Sequence, residues 1–422
     1  AVLCLSVRKE LLRLSPQEKR LSSSFPRISR VMSRLGVNKD YLKKRNRGLV
    51  LQLIATERCS SRIELSRQTG LTKTGISAIV NELLEKGYLT ETEKAKEEEE
   101  NTKAQGRSPV NLEIAPGSPK YAGVVMGRGF AEAVLCDMRL KLYKYERIER
   151  EWSSSEELME AVCVLLDHML EGRDDVIGIG VSTPGPVDVK LGKIINPGYF
   201  HGIKNVSVTE PLREKYGIPI FLDHDVQSVA LMEQLYGSGK DYQDMLVICV
   251  DEGFGSGIIM GGRRYESNSG YPPEIGHLSI DHHGNRCGIC GNLGCLETYV
   301  GTEVIERKVE AALGKKKDYQ SICRMDSNPK VRKIMEEMLM DLSSAVISLE
   351  NIMNFEIILL GLGAIYWPER YLTILEDLIN DRKFSNKKVR TLVRKTSFLD
   401  KAMVLGAVCN AINRTFEGEL IV

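Results

Sequence analysis

No apolar run among the 422 residues approaches the ~20 that a membrane-spanning helix needs, which excludes a helical membrane protein. Nor do residues 1–31 follow the layout of a secretory signal, because charges interrupt their apolar stretch. Net charge is almost missing too: 58 Lys and Arg stand against 57 Asp and Glu, a formal +1. That balance hides an asymmetry. Residues 1–90 hold 18 basic and 7 acidic side chains, leaving 40 and 50 for the rest of the chain. A basic head on an acidic body points to a polyanion-binding module at the N-terminus. A disulfide framework is missing as well. Seven of the ten cysteines (Cys4, Cys59, Cys136, Cys163, Cys249, Cys323 and Cys409) are scattered, several within apolar runs, as expected of buried thiols in a reducing cytoplasm. Coiled-coil and short-repeat signals are absent. With 42% hydrophobic and 27% charged residues, the chain reads as an ordinary globular protein of two or three domains.

The other three cysteines are what the chain is organised around. His277, Cys287, Cys290 and Cys295 follow the spacing H-x9-C-x2-C-x4-C, with Gly288, Gly291 and Gly294 letting the chain turn tightly. Three thiolates and one imidazole make a closed tetrahedral set, which suits structural Zn²⁺ and leaves no open catalytic position. Free core cysteines are the bland alternative, but this spacing rarely arises without a metal. Two carboxylates, Glu274 and Glu297, flank the ligands.

Upstream, residues 1–45 form an N-terminal extension to which no function is assigned. Residues 46–116 read as a winged helix-turn-helix. Leu49, Val50, Leu53 and Ile54 have helical spacing. Ser61 and Glu64 form a capping box for a second helix, which Gly70 closes. Thr72 caps a third, whose apolar face is Ile76, Ile79, Val80, Leu83 and Leu84. Its other face offers Lys73, Thr74, Ser77 and Asn81, side chains suited to a major groove. Tyr88–Thr92 and Val110–Ile114 would pair as a wing, with Arg107 available to a minor groove or phosphate. A helical protein-interaction module is the alternative to a DNA-binding head.

After a Pro/Gly linker, two α/β lobes follow: residues 117–228 with 399–422, and residues 229–398 with the zinc clip. Each starts strand, glycine turn, strand: Tyr121–Met126 with Gly127-Arg128-Gly129, and Met245–Asp251 with Gly253–Gly257. The pattern suggests an internal duplication around a cleft, with ligands off the carboxyl ends of the strands, where Pro184–Pro186 and Asp225 lie.

Taken together, Ser61–Leu65, Gly106–Pro109, Pro184–Pro186, Asp223–Asp225, Gly253–Gly257, Glu274–His277 and Cys287–Glu297 resemble the ROK family, in its repressor branch with an N-terminal winged helix. The resemblance covers about residues 46–416. It implies an α/β, two-lobed, actin-like (ASKHA, ROK-type) sugar-kinase fold behind the DNA-binding head. It also implies sugar contacts at His224, Asp225, Glu274, His277 and Glu297, where the family has Asn in place of His224. Ionised carboxylates make short bonds to sugar hydroxyls, and a metal behind them would fix their orientation. In the family's kinases, the position of Asp225 takes the proton from the attacking hydroxyl.

The first glycine turn decides between kinase and regulator. Kinases of this fold carry Asp-x-Gly-Gly-Thr there; this chain has Val125-Met126-Gly127-Arg128-Gly129. Val cannot hold Mg²⁺, and Arg128 fills space that a phosphate needs. The expectation is therefore a sugar-responsive regulator, a repressor without enzymatic activity. It would act as a homodimer or tetramer on operator DNA, with Asp225 a vestige of the kinase base. The alternatives are an ATP-dependent sugar kinase with a DNA-binding head, or a regulator whose effector is a partner protein.

Overall fold

The computed structural model describes residues 38–93, 110–200, 202–251, 253–265, 271–384 and 388–421. The head is built from three helices, α1 (Lys39–Ala55), α2 (Arg62–Thr69) and α3 (Lys73–Glu85), and a hairpin of β1 (Leu89–Glu93) with β2 (Val110–Ile114). α1 starts ahead of residue 46, where the head was expected to begin, because Asn38 caps it by accepting from the Asp40 amide at 3.1 Å. Ser61 caps α2 as expected, and Glu64 reaches back to the amide of Ser60 at 2.7 Å. Gly70 closes α2 at φ 70°, and Thr72 caps α3 through the Gly75 amide. Arg107 and the rest of the wing tip lie outside the described residues.

The first lobe is a five-stranded sheet in the order β10-β6-β3-β4-β5. Its strands are β3 (Lys120–Gly127), β4 (Phe130–Cys136), β5 (Leu142–Glu149), β6 (Val176–Thr183) and β10 (Ile220–His224). β3, β6 and β10 are parallel; β4 and β5 form the antiparallel edge. β3 is buried along its whole length, which suits a central strand covered on both faces. Helix α4 (Ser155–Leu170) lies against this sheet. Between β6 and β10 run three two-residue strands, β7 to β9 (Val187–Asp188, Lys193–Ile194, Val206–Ser207), and α5 (Thr209–Tyr216). None of these was expected. The strands are too short to show a period, and no side chain caps α5.

Helix α6 (Asp225–Tyr236) leads to the second sheet, ordered β13-β12-β11-β14-β15: β11 (Met245–Val250), β12 (Phe254–Met260), β13 (Arg263–Arg264), β14 (Ile357–Leu362) and β15 (Leu392–Lys395). The two sheets share one plan, a hairpin beside parallel strands. After the Cys/His segment come α7 (Glu297–Val300), α8 (Thr302–Leu313), α9 (Tyr319–Arg324), α10 (Pro329–Met353), α11 (Glu369–Arg382) and α12 (Ala402–Phe416).

α6 and α12 lie between the sheets, α12 on β3 and β6 and α6 on β11 and β12. They approach closely because Gly406 lacks a side chain: a Cβ there would lie 2.9 Å from the Ser228 carbonyl carbon. One apolar core runs from Leu51 and Leu83 in the head through Val229, Cys409 and Phe416 to Met245 and Leu359 in the second lobe. Head and body therefore share buried surface and are not joined by the linker alone.

Candidate functional site: an interlobe cleft beside a Cys/His cluster

A cavity of about 740 Å³ opens between the lobes, lined by residues of both glycine turns, Pro184–Pro186, His224, Asp225, Glu274, His277 and Glu297. Stretches far apart in the sequence thus meet at one cleft. β10 ends at His224, and Asp225 begins α6, so both sit at the carboxyl end of a parallel strand. His224 Nε2 lies 3.3 Å from Asp225 Oδ1, and Asp225 Oδ1 also accepts from the Val226 amide at 2.6 Å. Asp223 turns the other way, accepting from the His224 amide and pairing with Arg264. Gly185 lets the proline turn approach, since a Cβ there would stand 2.7 Å from His224 Cδ2 and 3.2 Å from Glu274 Oε1. Glu274 is open to the cleft, yet the crowding walls push its carboxyl above the usual range, with His224 and His277 opposing. Glu297 is buried, 3.5 Å from His277 Nδ1, and accepts from the Cys287 thiol at 2.9 Å.

The ligand atoms of His277, Cys287, Cys290 and Cys295 all lie within 4.8 Å of one another. Cys290 Sγ and Cys295 Sγ are 3.5 Å apart, and Cys287 Sγ is 3.7 Å from His277 Nδ1. Donors on a tetrahedral ion with bonds of about 2.3 Å stand about 3.8 Å apart, so the four atoms fit one small divalent ion. Burial pushes the Cys295 thiol up, a shift that a cation held by the four donors would oppose. The group could hold a metal such as zinc.

Several contacts along the cavity wall were not anticipated. Arg147 pairs with Glu132 at 3.3 Å on the cavity wall. Arg128 Nε donates to the Gly198 carbonyl at 3.0 Å, its guanidinium 5.7 Å from the ring of Tyr199, which sits at φ 57°. A bulky residue at positive φ is an outlier worth a functional reading. The only sequence signal for this segment is the Pro197-Gly198 turn. Arg128 also crosses the cleft: a Cβ on Gly253 would lie 2.9 Å from its Nη1.

In the head, Lys73 and Thr74 are exposed and Ser77 half-buried on the first turns of α3. Asn81 lies two turns on and is already engaged, its Oδ1 accepting from Arg62 Nη2 at 3.0 Å. A bidentate reading of a base by Asn81 would require that bond to break.

The profile of the ROK family matches residues 121–414. The DNA-binding transcriptional dual regulator NagC of Escherichia coli K12 is 31% identical over 293 residues, 68% of this chain and 70% of its own. The xylose repressor of Caldicellulosiruptor bescii is 24% identical over 409 residues, 89% of this chain and 97% of its own. Among solved structures, a ROK family transcriptional regulator, a homologue of the E. coli MLC protein, superposes with TM-score 0.77 at 24% identity, over 90% of this chain and 98% of that one. The ROK hexokinase of Thermus thermophilus superposes with TM-score 0.61 at 25% identity, over 70% of this chain and 98% of that one. The fold is thus the two-lobed, actin-like fold of ROK regulators and sugar kinases. The chain belongs to the ROK family.

Proposed function

We propose that this protein is a sugar-responsive, DNA-binding repressor of carbohydrate-utilisation genes. The observation that carries the reading is the cleft itself, where Asp225, Glu274 and Glu297 converge while Val125 and Arg128 occupy the first phosphate turn. A carbohydrate offers hydroxyl donors to the carboxylates. Val125 offers no Mg²⁺ ligand, the Glu132 carboxylate beside it is taken up by Arg147 at 3.3 Å, and the Arg128 side chain lies against Gly253 across the gap between the glycine turns. Loss of the metal carboxylate and the phosphate amides removes the electrostatic positioning on which phosphoryl transfer depends. Asp225 keeps its place in the cleft as a sugar acceptor.

Zinc held by His277, Cys287, Cys290 and Cys295 would supply rigidity and no chemistry. The chain's own part is to keep Glu297 and Glu274 in register with the sugar; Glu297 touches both Cys287 and His277. In the head, Lys73, Thr74 and Ser77 face the operator, Arg107 adds a phosphate or minor-groove contact, and a homodimer presents two heads to a palindromic site.

The route from cleft to head runs through α12. The His224 carbonyl accepts from Ser228 Oγ (2.8 Å), Ser228 Oγ accepts from Asn410 Nδ2 of α12 (2.9 Å), and the far end of α12 abuts Gly48 of α1. A sugar that favours one interlobe angle therefore bears on the helix that carries the head. The reading is tested by calorimetry against a sugar panel, paired with an ATP-coupled phosphorylation assay. Saturable heat with at least one sugar and no phosphorylation is expected. Turnover that Asp225→Ala abolishes would establish the kinase instead, and no heat for any sugar would remove the sugar.

A further inference from the structure

A second cavity, of about 730 Å³, lies away from the cleft, in the seam between head and body. Its lining is mostly polar, with apolar side chains from Leu49 of α1, Leu231 and Leu235 of α6 and Phe416 of α12. Around it stand cations from both sides of the seam: Arg45 and Arg58 from the head, and Lys240, Arg263 and Arg264 from the second lobe. Glu417 is the one carboxylate among the described lining residues, and it already accepts from Asn413 Nδ2 and Arg414 Nη1, both at 3.2 Å. Arg264 is paired with Asp223, and Arg58 donates to the Lys240 carbonyl. Among the described residues, no carboxylate lies within ion-pair distance of Arg45, Arg58, Lys240 or Arg263. A protein that gathers like charges around one cavity without counter-ions leaves them to repel one another, unless an anion joins them.

We propose that this cavity is a binding site for a small organic phosphate. Guanidinium groups are the side chains best shaped to hold phosphate oxygens, and Arg45, Arg58 and Arg263 supply three. Leu49, Leu235 and Phe416 take the organic portion, and the volume lies within the ~300–1,000 Å³ usual for metabolite pockets. Because its cations come from α1 and its turn on one side and the second lobe on the other, the bound anion ties the head to the body. This site is separate from the sugar cleft and stands whether or not the cleft binds sugar.

The test is equilibrium binding to the full-length chain of pyrophosphate, which has no ring to occupy the cleft, beside AMP and glucose 6-phosphate. Saturable one-to-one binding of pyrophosphate is expected, at least tenfold weaker in Arg45→Gln/Arg263→Gln and weaker again with Lys240→Gln added. Arg45 and Arg263 are exposed, so an unchanged thermal midpoint keeps the comparison sound. Lys333→Gln, at an exposed lysine on α10, binds as the unaltered chain does. Tighter binding of AMP than of pyrophosphate makes the ligand a nucleotide, and tighter binding of glucose 6-phosphate, lost in the same double variant, makes it a sugar phosphate. Equal pyrophosphate affinity in the double variant and the unaltered chain overturns the site. So does a double variant that loses affinity for random DNA alone, which would make the seam a DNA-backbone contact. If neither organic phosphate binds more tightly than pyrophosphate, the organic portion of the proposal fails.

Discussion

Gly48→Ala separates this architecture from a head merely tethered by a linker. Gly48 lies inside α1. In a solvent-facing helix, replacing Gly by Ala stabilises by about 1 kcal/mol. Here a Cβ would fall 2.1 Å from the carbonyl oxygen of Phe416, 2.6 Å from its carbon and 2.8 Å from the Thr415 oxygen. Carbon–oxygen contacts close at about 3.3 Å, so α1 must back away by roughly an ångström. The obstacle is backbone at the end of α12, and no rotamer change relieves it. Overpacking typically costs about 1–3 kcal/mol, so a net loss of up to about 2 kcal/mol remains after the helix gain. The assay is urea unfolding of the full chain, read as a lower midpoint with an unchanged slope. The same variant should weaken the effect of sugar on DNA binding, because the seam it disturbs is the route. A midpoint that rises, as at an ordinary helical glycine, would refute the packing of α1 on α12 and the coupling argument with it.

Further consequences are equally concrete. Cys290→Ser should abolish zinc retention by elemental analysis, and full zinc content in that variant would contradict the four-ligand cluster. Glu297→Gln should weaken sugar binding by roughly 1.5–3 kcal/mol, or roughly 10- to 150-fold, while leaving sugar-free DNA binding intact; calorimetry reads the first and a mobility shift the second. Glu233 is fully buried and accepts from the amides of Ser397 (2.7 Å) and Ser238 (2.9 Å), and burial holds its carboxyl above the usual range. A raised carboxyl favours the fold below its ordinary pKa of about 4.3, and that contribution is lost as pH rises through the folded value. The stability of the unaltered chain relative to Glu233→Gln should therefore be greatest near the acid end and fall towards neutrality; melting curves showing a constant or widening advantage would refute it.

How much of this was legible in the sequence varies with the physical signal. Long periodic helices read well: α10 begins at Pro329 behind an Asn328 cap, and that pattern is local. The cleft read well at His277 to Glu297 because four side chains that could hold a metal crowd into one short stretch. The resemblance supplied the residues proposed to touch a sugar, and the structure gathers them around one cavity. What stayed hidden depends on distance along the chain. Arg128 meets Gly198 and Gly253, and Gly48 meets Phe416; no local pattern announces such pairs. Asn81 looked free on its helix because its partner, Arg62, sits on another. The strands β7 to β9 are too short for any period to register.

Fluorescence anisotropy of operator DNA with the full-length protein, titrated with each sugar of a panel and with ATP left out, bears most directly on the central claim. A cleft coupled to the head by about 1–3 kcal/mol predicts a 5- to 150-fold change in operator affinity for at least one sugar. The same affinity with every sugar would contradict it.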